Sequence, residues 1–572
     1  MPSTFACSFY RIFFGQSTPE SESVKQALCA LSSAVVDFVA IPIRRALNGR
    51  FDDLVDIRGV SSEEMGSSVV GIVSTPHPKL VGIGRIQSVI DEISWAHHAG
   101  MYAISLDVSG FSVEDLVEIF ARVADSTLTC TWIACSVNNW SAWDSARRKC
   151  PHLSRASVYL TNLEITVDES VYRRWLGEPV ASFQLIDSPL IEDVAHCILS
   201  LVRMNAQPIA SSIEQIQAVA KFLDSASPLS WDENYAAPYF DSLQLPLQPL
   251  ADDMENGVYE TFEADRGKYD LYESAIFQAI QSLLSEYPHE RCVRLAVVGA
   301  GRGGLIDSAC RAIARVNRSE VSFSIAAVEK NPNAARTLQY RASDDVKWTG
   351  NPNVAIEIVE TDMRAWNPDS PADILISELL GSLGDNEASP ECINGVIRVL
   401  DPIRGVSIPH RYVSTIEPVS CARTWNAAKA MHRLEHVLVV YFNNCFKPSA
   451  PLDLFEFVHE SGPVHVPGSN ERSASLSWTL PTDTTIHGFA GYFHCDLFGD
   501  VVMSTHPPTR SKDMMSWFPS FLPLKEPIFV PAGEPLSVRV ERKIAKEKLW
   551  LQWTVAGQST NNADGQAYTI GL

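Results

Sequence analysis

The sequence predicts an α/β chain in three units: an N-terminal (β/α) barrel, a central doubly wound sheet and a C-terminal antiparallel β unit. Three observations carry this. Short apolar runs alternate with amphipathic helical patterns as far as residue 230, the rhythm of a barrel or, second, of a doubly wound sheet. A further strand–helix alternation starts near Val258, and its first strand ends in Gly299-Ala300-Gly301-Arg302-Gly303-Gly304. After about Pro409, alternating segments punctuated by Pro and Gly read as antiparallel strands.

The chain has 572 residues, too many for one core and enough for roughly three or four domains. Apolar content of 46% and charged content of 20% are ordinary for a folded protein. The formal charge of −22 argues against a binder of nucleic-acid phosphates and favours basic partners. There is no run of eighteen apolar residues, so no membrane span is expected. Met1-Pro2-Ser3-Thr4-Phe5 lacks the charged-then-apolar pattern of a secretory signal. The 12 cysteines include no Cys-x-x-Cys pair, so they read as reduced, mostly buried thiols, and no metal is expected.

In the first unit, 1–230, strands are predicted at Val35–Ile41, Val69–Ser74, Met101–Val108, Leu128–Ser136, Ser157–Glu164, Phe183–Ile186 and Pro208–Ala210. Helices are predicted at Ile86–His97, Val113–Ala124, Ile191–Met204 and Glu214–Leu223. No phosphate loop and no convergent acid–base set is visible here, and His97-His98 beside Trp95 read as a helix face. The unit reads as a scaffold or interaction module. Residues 231–257 carry the proline-dense Leu243-Gln244-Leu245-Pro246-Leu247-Gln248-Pro249-Leu250, which excludes helix and sheet interiors and predicts an extended linker lying along a surface.

The central unit, 258–410, has a helical pattern over Leu271–Leu284 and strands at Val293–Val298, Ser322–Val328, Val354–Val359 and 372–377. Acids follow the second, third and fourth strands: Glu329, Asp362 and Glu378. Open α/β sheets bind ligands at those carboxyl ends. The glycines alone are weakly specific. Glu329 says more, because an acid there can accept hydrogen bonds from both hydroxyls of a ribose, in NAD or in S-adenosylmethionine alike. Asp362-Met363 supplies a polar acceptor beside an apolar face, suited to an adenine.

The fourth strand end separates the two. Glu378 is followed by Gly381 and Gly384, which let the loop fold back and bring Glu387 beside it. Two converging carboxylates are costly unless a cation lies between them, and a guanidinium fork fits that gap. A sulfonium and a guanidinium ~4 Å apart repel by about 4 kcal/mol at an effective dielectric near 20. Paired glutamates offset that repulsion, orient the guanidinium and leave one terminal nitrogen free to attack a methyl group. A hydride acceptor gains nothing from them, so an NAD-dependent oxidoreductase is disfavoured.

Several segments resemble a known family. They are Tyr259-Glu260-Thr261-Phe262-Glu263, Val298-Gly299-Ala300-Gly301-Arg302-Gly303, Ala327-Val328-Glu329-Lys330-Asn331-Pro332-Asn333 and Asp362-Met363-Arg364. To these add Ser377-Glu378-Leu379-Leu380-Gly381-Ser382, Asn386-Glu387-Ala388-Ser389-Pro390-Glu391-Cys392, Ser516-Trp517-Phe518-Pro519 and the terminal Tyr568-Thr569-Ile570-Gly571-Leu572. The chain resembles the type II, symmetric-dimethylating protein arginine N-methyltransferases over roughly 243–572, and in the N-terminal unit through Arg174-Trp175-Leu176-Gly177-Glu178-Pro179.

The resemblance implies a TIM barrel, a Rossmann-like class I S-adenosylmethionine methyltransferase domain and, over 411–572, a β-sandwich or barrel for substrate binding and dimerisation. It implies that Glu378 and Glu387 are the catalytic pair. It implies that Tyr259, Lys268, Tyr269, Gly299, Gly301, Glu329, Asp362 and Met363 hold S-adenosylmethionine. Phe262 matches the bulky residue that steers the second methyl, and Trp517 with Phe518 the aromatics beside the arginine. Implied partners are arginine-rich basic proteins such as Gly/Arg-rich segments, histone tails and splicing factors. A second copy of the chain and a WD-repeat protein on the barrel are implied as well. The expected compartment is the cytoplasm, with the nucleus second. The rival from another class is a scaffold that binds donor or arginine-rich peptide without turnover.

Overall fold

The computed structural model describes residues 213–225, 229–316, 318–460 and 470–572 of the middle and C-terminal parts. Of the N-terminal part it describes 6–7, 10–11, 15–17, 38–43, 69–73, 83–107, 111–123, 127, 131–163, 169–185 and 191–210. No described helix is long and apolar enough to cross a membrane.

Eight N-terminal strands pair in parallel and close: β1 (Gly15–Ser17), β2 (Phe38–Ile43), β3 (Val69–Val73), β4 (Ala103–Asp107), β5 (Thr131–Ser136), β6 (Ser157–Leu163), β7 (Val180–Leu185) and β8 (Gln207–Ala210). β8 returns to β1 with Ile209 opposite Gly15. Successive side chains on a strand point to opposite faces. Trp132 accordingly joins the inner cluster of Val70, Ala103, Tyr159 and Ile209, while its neighbour Ile133 packs against the helices outside. Those helices are α1 (Ile83–His98), α2 (Val113–Arg122), α3 (Trp140–Lys149), α4 (Ile191–Arg203) and α5 (Ile213–Ser225). His97 and His98 end α1 and are exposed. Sequence periodicity misses β1 and α3. β1 is three residues long, and α3 is held by tertiary contacts its polar composition does not announce.

Those contacts join the barrel to the C-terminal unit. Glu178, fully buried, accepts hydrogen bonds from the indoles of Trp140 and Trp143 at 3.0 Å and pairs with Arg147 at 2.8 Å. Asn444 donates to the Leu176 and Glu178 carbonyls at 2.9 and 2.8 Å. A Cβ on Gly177 would stand 2.6 Å from the Ser420 carbonyl. The 174–179 segment is therefore a joint between units.

The predicted extended linker needs correction at both ends. A short helix, α6 (Trp231–Ala236), opens it, nucleated by a capping box in which Ser230 and Glu233 bond each other's backbone. α7 (Asn256–Glu263) begins before its end. Between them the proline-dense stretch is extended, and Gln244 pairs with Val439.

The central unit continues with α8 (Arg266–Glu286), β9 (Cys292–Val298), α9 (Gly304–Val316), β10 (Ser322–Glu329), α10 (Pro332–Asp344), β11 (Val354–Glu360), β12 (Ile374–Ser377), α11 (Ser389–Val396) and β13 (Val406–Ile408). Its strands run parallel in the order β11-β10-β9-β12-β13. The order reverses between β9 and β12, which opens a crevice at their carboxyl ends. Both faces are covered, as a parallel sheet requires: Leu295 and Ile376 face one apolar cluster, Val298 and Leu375 another.

The C-terminal unit comprises β14 (Arg411–Val419), α12 (Ala422–Ala430), β15 (Leu438–Val439), β16 (Leu452–Val458), β17 (Arg472–Thr479), β18 (Thr484–Phe498), β19 (Val501–Ser504), β20 (Ser520–Val530), β21 (Pro535–Ala545), β22 (Lys548–Val555) and β23 (Ile570–Gly571). They form two sheets, β15-β20-β18-β14-β16 with β19 beside β18, and β17-β21-β22-β23. Phe489 and Ile486 of the first sheet share an apolar core with Val538 and Trp553 of the second. That core is continuous with the one under α8 and β9.

Candidate active site

A cavity of about 240 Å³ opens at the β9/β12 crevice, and the linker forms its far wall through Leu245, Leu247 and Pro249. The glycine turn forms its floor. Gly299, Gly301 and Gly303 have φ of 66°, 55° and 105°, left-handed values that glycine adopts far more readily than residues with a side chain. The ring of Tyr259, from α7, lies against Gly301, where a Cβ would be 3.1 Å from it. Tyr269, from α8, packs on Gly304 in the same way.

Glu329 ends β10 and is 6% exposed. It accepts the backbone N–H of Gly301 and of Asn331, each at 2.7 Å. Burial raises its proton affinity, and those two bonds partly offset the rise. Asn331, which the sequence reading left without a role, fixes the surroundings by donating to the Tyr259 hydroxyl at 3.2 Å and the Met254 carbonyl at 3.2 Å. Asp362 and Met363 line the same cavity. Asp362 is already engaged by Arg364, whose Nη2 lies at 2.7 Å and backbone N–H at 2.8 Å. Partial burial raises its proton affinity, but these bonds outweigh it and hold the carboxyl below its ordinary range.

Glu378 follows β12 directly, and the loop after it folds back. Gly381 and Gly384 exchange backbone bonds of 3.2 and 2.7 Å, and Asn386 Oδ1 accepts the Leu383 N–H at 2.7 Å. A Cβ on Gly381 would collide with Glu387 Cγ at 2.8 Å, so the turn works only with glycine there. Glu387 thereby reaches the same cavity as Glu378. It is followed by Ala388, a buried non-glycine at φ 64°, so the backbone beside the second glutamate is strained.

The two carboxylates are not equivalent. Glu378 Oε2 receives the Lys268 ammonium at 3.0 Å, and its Oε1 accepts the Leu380 N–H at 3.2 Å. Among the described residues, Glu387 has no such fixed cation. Burial first, then the charge of Glu378, push its carboxyl well above the ordinary value, with Lys268 opposing them in part.

The resemblance implies Lys268 as a cofactor residue; its ammonium instead pairs with Glu378, and Lys268 is not among the residues lining the cavity. It is fully buried and ringed by Phe262, Tyr269 and Trp517 at 5.2, 4.9 and 5.2 Å. Burial alone would lower its pKa, but Glu378, with Tyr269 and Asp265 adding to it, outweighs that and keeps it charged. Trp517 lines the cavity and donates its indole N–H to the Leu380 carbonyl at 2.7 Å. Phe518 is the selected aromatic that does not line it; its ring packs on Tyr239 at 5.9 Å and edge-on to Tyr441 at 5.5 Å.

One supporting residue escaped the sequence reading entirely. Asp265, fully buried, caps α8 through the Lys268 N–H at 3.2 Å and accepts the N–H groups of Met515 and Ser516 at 3.0 and 2.8 Å. Its available signal was the N-cap position before a long helix.

Comparison with known proteins agrees with this geometry. Residues 230–408 match the family described as PRMT5 arginine-N-methyltransferase, and residues 411–569 match the PRMT5 oligomerisation domain. The chain is 33% identical over 546 residues to protein arginine N-methyltransferase skb1 of Schizosaccharomyces pombe, covering 86% of this chain and 85% of that one. It is 33% identical over 524 residues to protein arginine N-methyltransferase 5 of Xenopus laevis, covering 85% and 79%. It is 33% identical over 485 residues to the Oryza sativa (indica) protein of that name, covering 76% and 73%.

Proposed function

Because this chain belongs to the PRMT5 arginine-N-methyltransferase family, we propose that the cavity bearing Glu378 and Glu387 is where it methylates protein arginines. The chain is an S-adenosylmethionine-dependent protein-arginine N-methyltransferase. The observation that carries the site is the convergence of two carboxylates from one loop on the cavity that also holds strand-end Glu329 and the positive-φ glycines.

The residues present fit the methyl donor. Gly299 and Gly301 leave the backbone open to close approach, and Glu329 offers a carboxylate for a ribose diol. Asp362 and Met363 would hold the adenine, with Tyr259 and Tyr269 closing the remainder. When bound, S-adenosylmethionine supplies a methyl group activated by its sulfonium. The chain does the rest. Glu378, fixed by Lys268 and the Leu380 N–H, presents a stationary acceptor to one edge of the guanidinium. Glu387 engages the other edge, and its raised proton affinity suits it to take the proton that the methylated nitrogen releases. Trp517, which lines the cavity, would add cation–π support for the guanidinium.

A donor-binding role for Glu329 has a direct test. Glu329→Ala should weaken binding of S-adenosylhomocysteine about 10- to 100-fold, the worth of a hydrogen bond to a charged group, while turnover at saturating donor stays near the parent value. Calorimetric titration reads the affinity, and an unchanged value would refute the role.

We further read the product as symmetric dimethylarginine, with Phe262 as the cause. Its ring stands 5.2 Å from the Lys268 ammonium that marks Glu378, and filling that space forces a monomethylated arginine to present its other nitrogen. Phe262→Met, slimmer and more flexible, should yield some asymmetric product beside the symmetric one, read from neutral losses in peptide fragmentation. Asymmetric product from the parent, or none from the variant, would remove Phe262 from that role.

The charge of −22 supports basic, arginine-rich substrates, including histone tails and splicing factors. The match at 411–569 supports self-association. We read the N-terminal barrel as a TIM-type scaffold able to carry a WD-repeat partner, and the compartment as cytoplasmic and nuclear. The parent protein, given labelled donor and a Gly/Arg-rich peptide, should transfer methyl groups to arginine. Donor binding without transfer would favour the scaffold reading.

A further inference from the structure

The loop that joins the two glutamates is gripped from behind by a residue of the other domain. Arg542, on β21, is fully buried. Its Nε donates to Asp385 Oδ2 at 2.8 Å, and Asp385 lies two residues before Glu387. Its Nη1 and Nη2 form a fork on Glu391, each at 2.7 Å, and Glu391 sits in the first turn of α11. The remaining guanidinium N–H groups go to the Asn470 carbonyl at 3.1 Å and the Asp385 carbonyl at 3.5 Å. All five donors of the side chain are thus spent. Asp385, equally buried, receives a further bond from Ser414 of β14 at 2.9 Å.

This network brackets Glu387 on both sides in sequence. Upstream it holds Asp385, and downstream it holds the helix that starts just after strained Ala388. Between them, among the described residues, the Glu387 carboxylate has no cation of its own comparable to Lys268 on Glu378. Its position is therefore dictated by backbone, and the backbone is dictated by Arg542. Tyr412, also on β14, closes the cradle: a Cβ on Gly384 would stand 3.1 Å from its ring.

We propose that Arg542 is a positioning residue for methyl transfer, through which the C-terminal β domain sets the place of Glu387. The proposal rests on the assignment of Glu378 and Glu387 to the substrate arginine. A planar fork with a third donor edge satisfies two carboxylates at once, which an ammonium cannot do. Desolvating one guanidinium with two carboxylates is poor economy for stability alone, since apolar residues commonly fill such places as well or better.

The test compares the full-length parent with Arg542→Lys and Glu391→Gln. Arg542→Lys retains charge without the fork, and Glu391→Gln leaves the Asp385 contact in place. Calorimetry with S-adenosylhomocysteine counts folded donor sites, and turnover is expressed per site. We expect donor affinity and peptide KM within about threefold of the parent. We expect kcat to fall about 100-fold in Arg542→Lys, the size a displacement near 1 Å commonly brings, and less in Glu391→Gln. The acid limb of the kcat–pH profile should also move, because Glu387 changes surroundings. Parent-level kcat per site in both variants would overturn the proposal. So would donor affinity falling in step with kcat, or neither variant folding, since each leaves the network only a structural role. An inactive parent would instead defeat the methyltransferase reading.

Discussion

Glu378→Gln and Glu387→Gln should each cut turnover about 100- to 1,000-fold, the usual cost of losing one charge-stabilising group, with donor affinity nearly unchanged. Their melting temperatures should move in opposite directions. Glu378 is the counter-ion of buried Lys268, so its neutral analogue leaves an ammonium without a charge opposite it and destabilises by as much as about 3 kcal/mol. Glu387 is a different case. Its folded-state pKa lies well above the ordinary carboxylate value, first through burial and then through Glu378. The folded chain therefore holds that proton more tightly than the unfolded chain does. Stability from this group is present below the ordinary value and is lost as pH rises from there to the folded pKa. Glutamine removes that loss, so Glu387→Gln should melt higher than the parent at pH 7. Parallel shifts in the two variants, or near-normal turnover in both, would sink the assignment of unequal glutamates.

What the sequence made legible is local. A strand end followed by an acid is visible within ten residues, so the sequence alone places Glu329, Asp362 and Glu378 at strand ends, and the structure puts all three on one cavity. Glu387 was legible because Gly381 and Gly384 announce a reversal, and those two residues do exchange backbone bonds. What escaped depends on partners far apart in the chain. Arg542 meets Asp385 across 157 positions, and neither lies in a pattern whose period marks it. Lys268 on its own reads in sequence as an exposed charge; only the packing of Phe262 and Trp517 turns it toward Glu378. The linker failed for a related reason. Its prolines correctly exclude a helix over 243–250, but Ser230 and Glu233 nucleate one just upstream through a local capping box. Phe518 follows Trp517 directly in the matching segment, but its ring packs on Tyr239 and Tyr441 and only Trp517 lines the cavity, a difference that tertiary packing alone sets.

Asp265 ties these pieces together and should be the most sensitive supporting position. One of its oxygens caps α8 at Lys268, the other collects the N–H groups of Met515 and Ser516 just ahead of Trp517. A single carboxylate thus sets both the lysine that fixes Glu378 and the indole that faces it. Asp265→Ala removes the helix cap and leaves the buried Met515 N–H and the part-buried Ser516 N–H unpaired, a combined cost of about 3–5 kcal/mol. Gly267 leaves no slack for the helix to follow, since a Cβ there would already stand 2.6 Å from the Asp513 carbonyl. Turnover should fall with stability, because Lys268 and Trp517 lose their shared anchor. Asp265→Asn separates the two functions. Asparagine caps a helix as well as aspartate does, but its amide end cannot accept from Met515 and Ser516, so about 1–2 kcal/mol should be lost. Urea midpoints and kcat/KM on the same preparations read both quantities. The expected order is parent, then asparagine, then alanine, in each. A midpoint unchanged in alanine, or asparagine no better than alanine, would show that the loop carrying Trp517 is held by something other than Asp265.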